Sequence, residues 1–247
     1  MSETLEQGTA VVTGASSGIG AATCRELAAA GANVVLAARS EDRLTELADD
    51  LETTHGVETL VVPTNVREED DVDALIDDTV DAFGGIDVLV NNAGLARGSE
   101  VESLSTDDYE TMQETNVDGV FYATRAAIPH VRERDGHLIF VASFAGQHPR
   151  PANPVYAATK WWVRGFAKSL AAQIGDDDIG FTIVNPAEVR SEFGAATGES
   201  FAERFDEDEA SDPAEVAEAI RFAASREGSS VSELDINRRD KFADTFH

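Results

Sequence analysis

Tyr156 and Lys160 stand four residues apart in the run Tyr-Ala-Ala-Thr-Lys. On a helix that spacing puts both side chains on one face. A lysine ammonium beside a phenol favours the phenolate, so the tyrosine would exchange a proton closer to neutral pH than its unperturbed value of ~10. The chain has nineteen Lys and Arg residues, of which only Lys160, Lys168 and Lys241 are lysines. A sequence that has almost dispensed with lysine keeps one where acid–base chemistry would want an ammonium. Taken alone, the pair equally fits a solvated helix face, and its meaning rests on what lies upstream.

Upstream, Thr13–Gly20 reads T-G-A-S-S-G-I-G, with an apolar run before it and a helical pattern after it. Gly14 permits a tight turn, Gly18 lets backbone approach a pyrophosphate, and Gly20 allows close helix–strand packing. The helix N-terminus then offers N–H groups and the positive end of its dipole to phosphate. A glycine-rich turn without a ligand is the alternative; the strand before it and the helix after it argue for the phosphate reading.

These groups need a scaffold. Thr9–Thr13, Asn33–Ala37, Val57–Val62, Ile86–Asn91, His137–Ala142 and Gly180–Asn185 read as buried parallel strands, with Val231–Ile236 as a seventh. Helical patterns cover Gly18–Ala30, Glu41–Leu51, Glu68–Phe83, Thr106–Arg134 and Pro154–Ile174. A last helix starts near Pro213, capped by Ser211 or Asp212. This alternation predicts an α/β fold: one doubly wound, seven-stranded parallel sheet with helices on both faces, formed by residues 1–247 as a single domain. The irregular stretch 191–210 follows the sixth strand and belongs at the carboxyl edge of the sheet, where such folds bind ligands.

Composition narrows the setting. The 47 acids against 19 bases give a net charge of −28, spread along the chain. Such self-repulsion disfavours a compact fold in dilute buffer, but at molar salt the Debye length is ~3 Å and the repulsion largely disappears. With lysine scarce, this predicts a salt-adapted protein. Nucleic acid and anionic membrane are disfavoured as partners. A lone cysteine, Cys24, excludes an intrachain disulfide and fits a reducing cytoplasm. The acidic start is not a signal peptide, no apolar run reaches the ~20 residues of a membrane span, and no metal-ligand set is read.

The spacing G-x-x-x-G-x-G with Thr13 before it resembles the short-chain dehydrogenase/reductase family, and the resemblance continues along most of the chain. Asn91–Gly94 (N-N-A-G) follows the fourth predicted strand. Asn116 falls in the long fifth helix, Ser143 follows the fifth strand, and Tyr156 and Lys160 come thirteen and seventeen residues later. Asn185–Ser191 stands where the family has its proline-glycine cofactor loop. The resemblance implies a nicotinamide dinucleotide held by Gly14, Ser16, Ser17, Gly18, Ile19 and Gly20, by Asn65 and Val66, by Asn92, Ala93 and Gly94, by Tyr156 and Lys160, and by Pro186, Val189 and Ser191. Asn65 replaces an aspartate usual in relatives. Ser191 replaces a threonine that commonly binds the nicotinamide amide. Ala187 replaces a glycine, which would strain the loop if that glycine used positive φ.

The second predicted strand ends Ala37-Ala38-Arg39-Ser40. NAD-selective sites usually place an acid here for the ribose 2′-hydroxyl. Arg39 instead offers a guanidinium to a 2′-phosphate and Ser40 a further donor, which points to NADP(H). A surface cation, or dual use of NAD, is the alternative.

By the same resemblance, Tyr156 exchanges a proton with a carbonyl or alcohol oxygen during hydride transfer. Lys160 lowers the tyrosine pKa and binds the ribose, Ser143 hydrogen-bonds the substrate oxygen, and Asn116 holds a relay water. The expected activity is NADP(H)-dependent interconversion of a secondary alcohol and a carbonyl compound. A 3-hydroxy acid or serine dehydrogenase is the alternative enzyme, and a non-catalytic NADP(H)-sensing regulatory protein the rival of another class. Pocket walls are expected from 95–98, 144–154 and 191–210, the last as a lid. Arg97, His148 and Arg150 are positioned to receive a substrate carboxylate, or else form surface ion pairs. Family habit implies a homotetramer, with a dimer as the alternative, joined through the helices holding Met112–Ala127 and Trp161–Leu170. Trp161 and Trp162 cannot both face inward, so one should pack against a neighbour or a partner subunit.

Overall fold

The apolar, β-branched runs form seven parallel strands: β1 (Thr9–Thr13), β2 (Asn33–Ala38), β3 (Thr59–Pro63), β4 (Val88–Asn91), β5 (His137–Val141), β6 (Gly180–Pro186) and β7 (Glu233–Ile236). They join one sheet in the order β3-β2-β1-β4-β5-β6-β7. The structure, a computed structural model, describes residues 5–98, 100–194, 200–206, 209–226 and 228–241. Helices α1 (Gly18–Ala29), α2 (Glu41–His55), α3 (Glu69–Phe83), α4 (Thr106–Gln113), α5 (Gly119–Arg132), α6 (Pro154–Gln173), α7 (Phe201–Arg204) and α8 (Pro213–Ala224) connect or follow them.

Strand alternation explains why helices cover both faces. Ala10 and Val12 of β1 point into a core shared with Leu27 of α1, Leu44 and Leu51 of α2, and Ile220 of α8. Val11 points the other way, into a core with Leu75 of α3, Ala123 of α5 and Val163 of α6. Burying a leucine fully stabilises the fold by about 1.5–3 kcal/mol, so strands this apolar on both faces are stable only with helices on each side.

Several expected boundaries move. β3 begins at Thr59 rather than Val57, because the Glu58 N–H donates to the Asn33 side chain before the strand pairs. β4 begins at Val88 rather than Ile86; Asp87 spends its N–H on the Thr9 carbonyl and its carboxylate on the Thr9 N–H, joining the starts of β1 and β4. β7 begins at Glu233 rather than Val231. Of the two candidate caps for the last helix, Asp212 is the one used, in a capping box with Glu215.

The largest correction concerns the single helix expected over Thr106–Arg134. It is interrupted by a π-helical segment, Glu114–Asp118, and ends at Arg132. Wider i→i+5 turns of this kind rotate the following residues out of α-register and cluster at functional sites. Asn116 lies inside the segment, fully buried. The C-terminal neighbour Gly119 has no room for a side chain, since a Cβ would come 2.9 Å from the Val66 carbonyl oxygen.

The chain runs outward from β1 to β3, then crosses to β4. At that reversal the loops after β1 and β4 diverge and open a crevice at the carboxyl ends of the strands.

Candidate active site

The crevice is a cavity of about 380 Å³. One part is built from main chain. Gly14 takes φ +70° and Gly18 φ +52°, conformations that favour glycine. A Cβ on Gly20 would lie 2.1 Å from the Gly14 carbonyl oxygen, and one on Gly14 would lie 2.9 Å from Ala93 Cα and from Asn92 Nδ2. A Cβ on Gly18 would meet that of Ser191 at 3.0 Å. The loop therefore closes backbone against backbone, leaving the α1 N-terminus open over the cavity. Ser17, the N-cap, makes no side-chain capping bond to it. Thr13 ties the two loops: its hydroxyl accepts from the Asn92 and Ala93 N–H groups and donates to the Val90 carbonyl. Asn92 Nδ2 donates to the Thr13 and Gly14 carbonyls at 2.8 and 3.2 Å. The Asn92 side chain thus braces the loop. Ser16, Ile19, Asn65, Val66, Ala93, Gly94, Pro186, Val189 and Ser191 all line the same cavity, as expected from the sequence.

Arg39 and Ser40 line it too, exposed at the end of β2. Four arginines reach the cavity. Arg67 pairs with Glu114, and Arg97 with Asp108 and Asp107. Arg39 and Arg150 have no carboxylate partner among the described residues.

The other part is built from side chains. Tyr156 and Lys160, on α6, are 5% exposed each, and Ser143 is 6% exposed. Asn153 caps α6: its carbonyl accepts from the Tyr156 N–H at 3.0 Å, while its amide donates to the Arg97 and Gly98 carbonyls. Asn116 donates to the Leu95 carbonyl (2.8 Å) and to Thr159 Oγ1 (3.0 Å), and accepts from the Leu95 N–H (2.9 Å). Both its donors and one lone pair are used, leaving one acceptor site. A Cβ on Gly94 would lie 3.2 Å from Lys160 Nζ and 3.4 Å from Asn116 Oδ1, so these two groups face one another across a glycine.

Ser143 also has a local role. Its Oγ accepts from the Ala145 N–H, capping a short 3₁₀ turn, and it stands close enough to Tyr156 to favour the phenolate. The electrostatics differ from the expectation. Burial raises the Tyr156 pKa above the usual phenol value, opposed by Ser143 and by the Arg150 charge. Lys160 Nζ donates to the Val141 carbonyl at 2.9 Å and lies 6.0 Å from the tyrosine ring centre. Burial lowers the Lys160 pKa to about 8, so an ammonium here is itself readily deprotonated.

Ala187 is unstrained: it is absent from the positive-φ residues, which among non-glycines are Gln7, Asp135 and Asp178, and its N–H donates to the Ile236 carbonyl. The expected walls are partly as read. Residues 95–97, Arg150, Ser191–Gly194 and Phe201 line the cavity. Residues 195–199, 207 and 208 of the proposed lid lie outside the described residues. His148 stacks on Phe144 with ring centres 4.1 Å apart and is not part of the lining. Trp161 and Trp162 are 46% and 36% exposed, and Trp162 stacks on Phe166.

The sequence reading assigned no task to Thr13, Asn153, Thr159, Phe193 or Phe201. Asn153 was legible as an N-cap before the N1 proline. The others depend on contacts between distant segments.

The family model for short chain dehydrogenases matches residues 8–200. This chain belongs to the short-chain dehydrogenase family. An uncharacterized oxidoreductase of Staphylococcus aureus is 34% identical over 215 residues, covering 87% of this chain and 89% of that protein. Among solved structures, an alcohol dehydrogenase of Thermococcus sibiricus, complexed with 5-hydroxy-NADP, is 31% identical with a TM-score of 0.86, covering 94% of this chain and 96% of that one. A 3-ketoacyl-(acyl-carrier-protein) reductase of Brucella melitensis, complexed with NADH, is 29% identical with a TM-score of 0.85, over 96% and 99% of the two chains. The chain is therefore a short-chain dehydrogenase-type oxidoreductase with a nicotinamide-nucleotide fold. The glycine cradle fits a dinucleotide, since every surface a Cβ would fill there is loop backbone or a side chain bracing it. Among the described residues no helix is long and apolar enough to cross a membrane.

Proposed function

We propose that this short-chain dehydrogenase interconverts a secondary alcohol and a carbonyl compound with NADP(H). The observation that carries the reading is the meeting of Tyr156, Ser143 and Lys160 in the cavity that the glycine loop also lines, with Asn116 buried behind Gly94 beside Lys160. NADPH, when bound, supplies the hydride, and NADP⁺ receives it in reverse. Arg39 and Ser40 hold the 2′-phosphate. Tyr156 is kept as a phenol by burial and donates its proton to the substrate oxygen. Ser143 hydrogen-bonds that oxygen as charge develops. Lys160 binds the ribose and carries the positive charge that receives the phenolate's field. Asn116 fixes Leu95 and Thr159, and its last lone pair holds a relay water.

We also infer a cytoplasmic, salt-adapted protein assembled as a homotetramer, or as a dimer through the exposed aromatic face of Phe121, Trp161 and Trp162. The charge of −28 supports the first part. The test is NADPH and NADH oxidation over a panel of ketones, aldehydes and oxo acids, from dilute to molar KCl. Turnover with NADPH that increases with KCl is expected. NADPH binding without turnover on any member would favour a sensor and overturn the enzyme reading.

A further inference from the structure

Arg150 is one of two cavity guanidiniums without a carboxylate partner among the described residues, in a chain where acids outnumber bases 47 to 19. Its Cζ lies 5.3 Å from the centre of the Tyr156 ring and 6.0 Å from that of Phe201. Contacts with aromatic faces hold a guanidinium in place while leaving its N–H groups for an in-plane acceptor. Glu188 lies within its field, and Lys241 Nζ bonds both Glu188 oxygens, at 2.6 and 2.7 Å. The Arg150 guanidinium thus has no direct carboxylate partner among the described residues, is partly buried, and lies over the same ring whose hydroxyl does the chemistry.

The other two candidates are spent. Arg97 is held by Asp107 and Asp108, and His148 sits outside the lining. Phe193 and Phe201 close the space beside Tyr156 with apolar surface, their rings 5.3 Å apart and Phe193 5.6 Å from Tyr156. The site therefore offers a proton donor, a short apolar wall and, beside Phe201 and Tyr156, the Arg150 guanidinium.

We propose that Arg150 binds a carboxylate of the substrate, so that the preferred substrates are short hydroxy acids and their oxo acids. This rests on the oxidoreductase reading above and specifies its substrate class. In reduction, the oxo carbon gains hydride, the oxo oxygen gains the Tyr156 proton, and the carboxylate is unchanged.

The test compares acetoacetate with methyl acetoacetate, in molar KCl with NADPH, for wild type and Arg150→Met. Any change the substitution makes at Tyr156 affects both substrates, so the ratio of their kcat/KM values isolates the anion. Wild type should prefer the acid, and Arg150→Met should lower the acid-to-ester ratio by roughly 30-fold, the scale of one lost charge-assisted pair. Arg150→Lys should restore part of it, since it keeps the charge without the fork; this variant also serves if the methionine protein misfolds. Wild-type preference for the ester, or an unchanged ratio in both variants, would overturn the proposal while leaving the oxidoreductase reading intact. Binding of butanoate to the NADPH complex of Tyr156→Phe gives a readout without turnover. Arg150-dependent binding supports the anion site even if no substrate turns over, and binding indifferent to Arg150 overturns it.

Discussion

The two halves of the cavity are made of different material. Around Gly14–Gly20 the shape comes from main chain: positive φ at Gly14 and Gly18, and a Gly20 that sits against the Gly14 carbonyl. Around Tyr156 it comes from side chains that bond distant main chain and one another, through Asn153, Asn116 and Thr159. A backbone-built half fails when a side chain intrudes and recognises what any dinucleotide presents. A side-chain-built half fails when one partner is removed and sets which reaction occurs.

Substituting the glycine loop should show the largest effect on the first half. In Gly20→Ala the new methyl cannot coexist with the Gly14 carbonyl at 2.1 Å. The fold or the loop must shift, at a cost at the upper end of overpacking, about 3 kcal/mol. NADPH titration and thermal unfolding should show at least a hundredfold weaker binding, or a destabilised protein. Wild-type affinity and stability would break the claim that this half is backbone-limited.

Arg39 tests a side-chain element of that half. Arg39→Ser should cut the NADPH-over-NADH preference in kcat/KM by about 10- to 100-fold, the range of a lost hydrogen bond to a charged group. Unequal loss for the two cofactors sharpens the contrast between generic backbone recognition and selective side-chain recognition; equal loss would remove it.

The smallest effect is a pH limb from the second half. Burial lowers Lys160 to about 8, so its ammonium is present below that pH and lost above it. The kcat/KM for NADPH, which reports groups of the free enzyme, should be level below about pH 8 and fall tenfold per unit above it. The stability sign is opposite. Between about 8 and the ordinary lysine value of ~10.4 the unfolded chain binds more protons, so folding stability rises with pH there. Lys160→Arg should remove the limb from this range, and a limb that persists would assign it to another group.

The same division explains what the sequence disclosed. Glycine spacing and β-branched runs are local signals, so the loop was legible from Thr13–Gly20 and its flanks, and the seven strands from their own apolar runs. The π segment was not: nothing in Glu114–Asp118 departs from a helical pattern, and the distortion accompanies the Asn116 bonds to Leu95 and Thr159, 21 and 43 residues away. The sequence placed Arg97, His148 and Arg150 on equal terms. Only folding pairs the first, displaces the second and leaves the third over Tyr156. Nor could spacing show that burial raises the Tyr156 pKa, opposed by Ser143 and Arg150, because burial depends on walls such as Phe193, 37 residues further on. The doubt over Ala187 came from a motif, and the backbone there removes it.

The central claim is that the side-chain half performs proton transfer on a frame the backbone half supplies. Its most direct measurement is Tyr156→Phe beside wild type, with kcat from NADPH oxidation and Kd from NADPH fluorescence, both in molar KCl. Removing one hydroxyl should lower kcat by about 10²–10⁴-fold, the range of general acid catalysis, with Kd changed less than about threefold. Retained turnover, or binding lost together with turnover, would contradict the division of labour between the two halves.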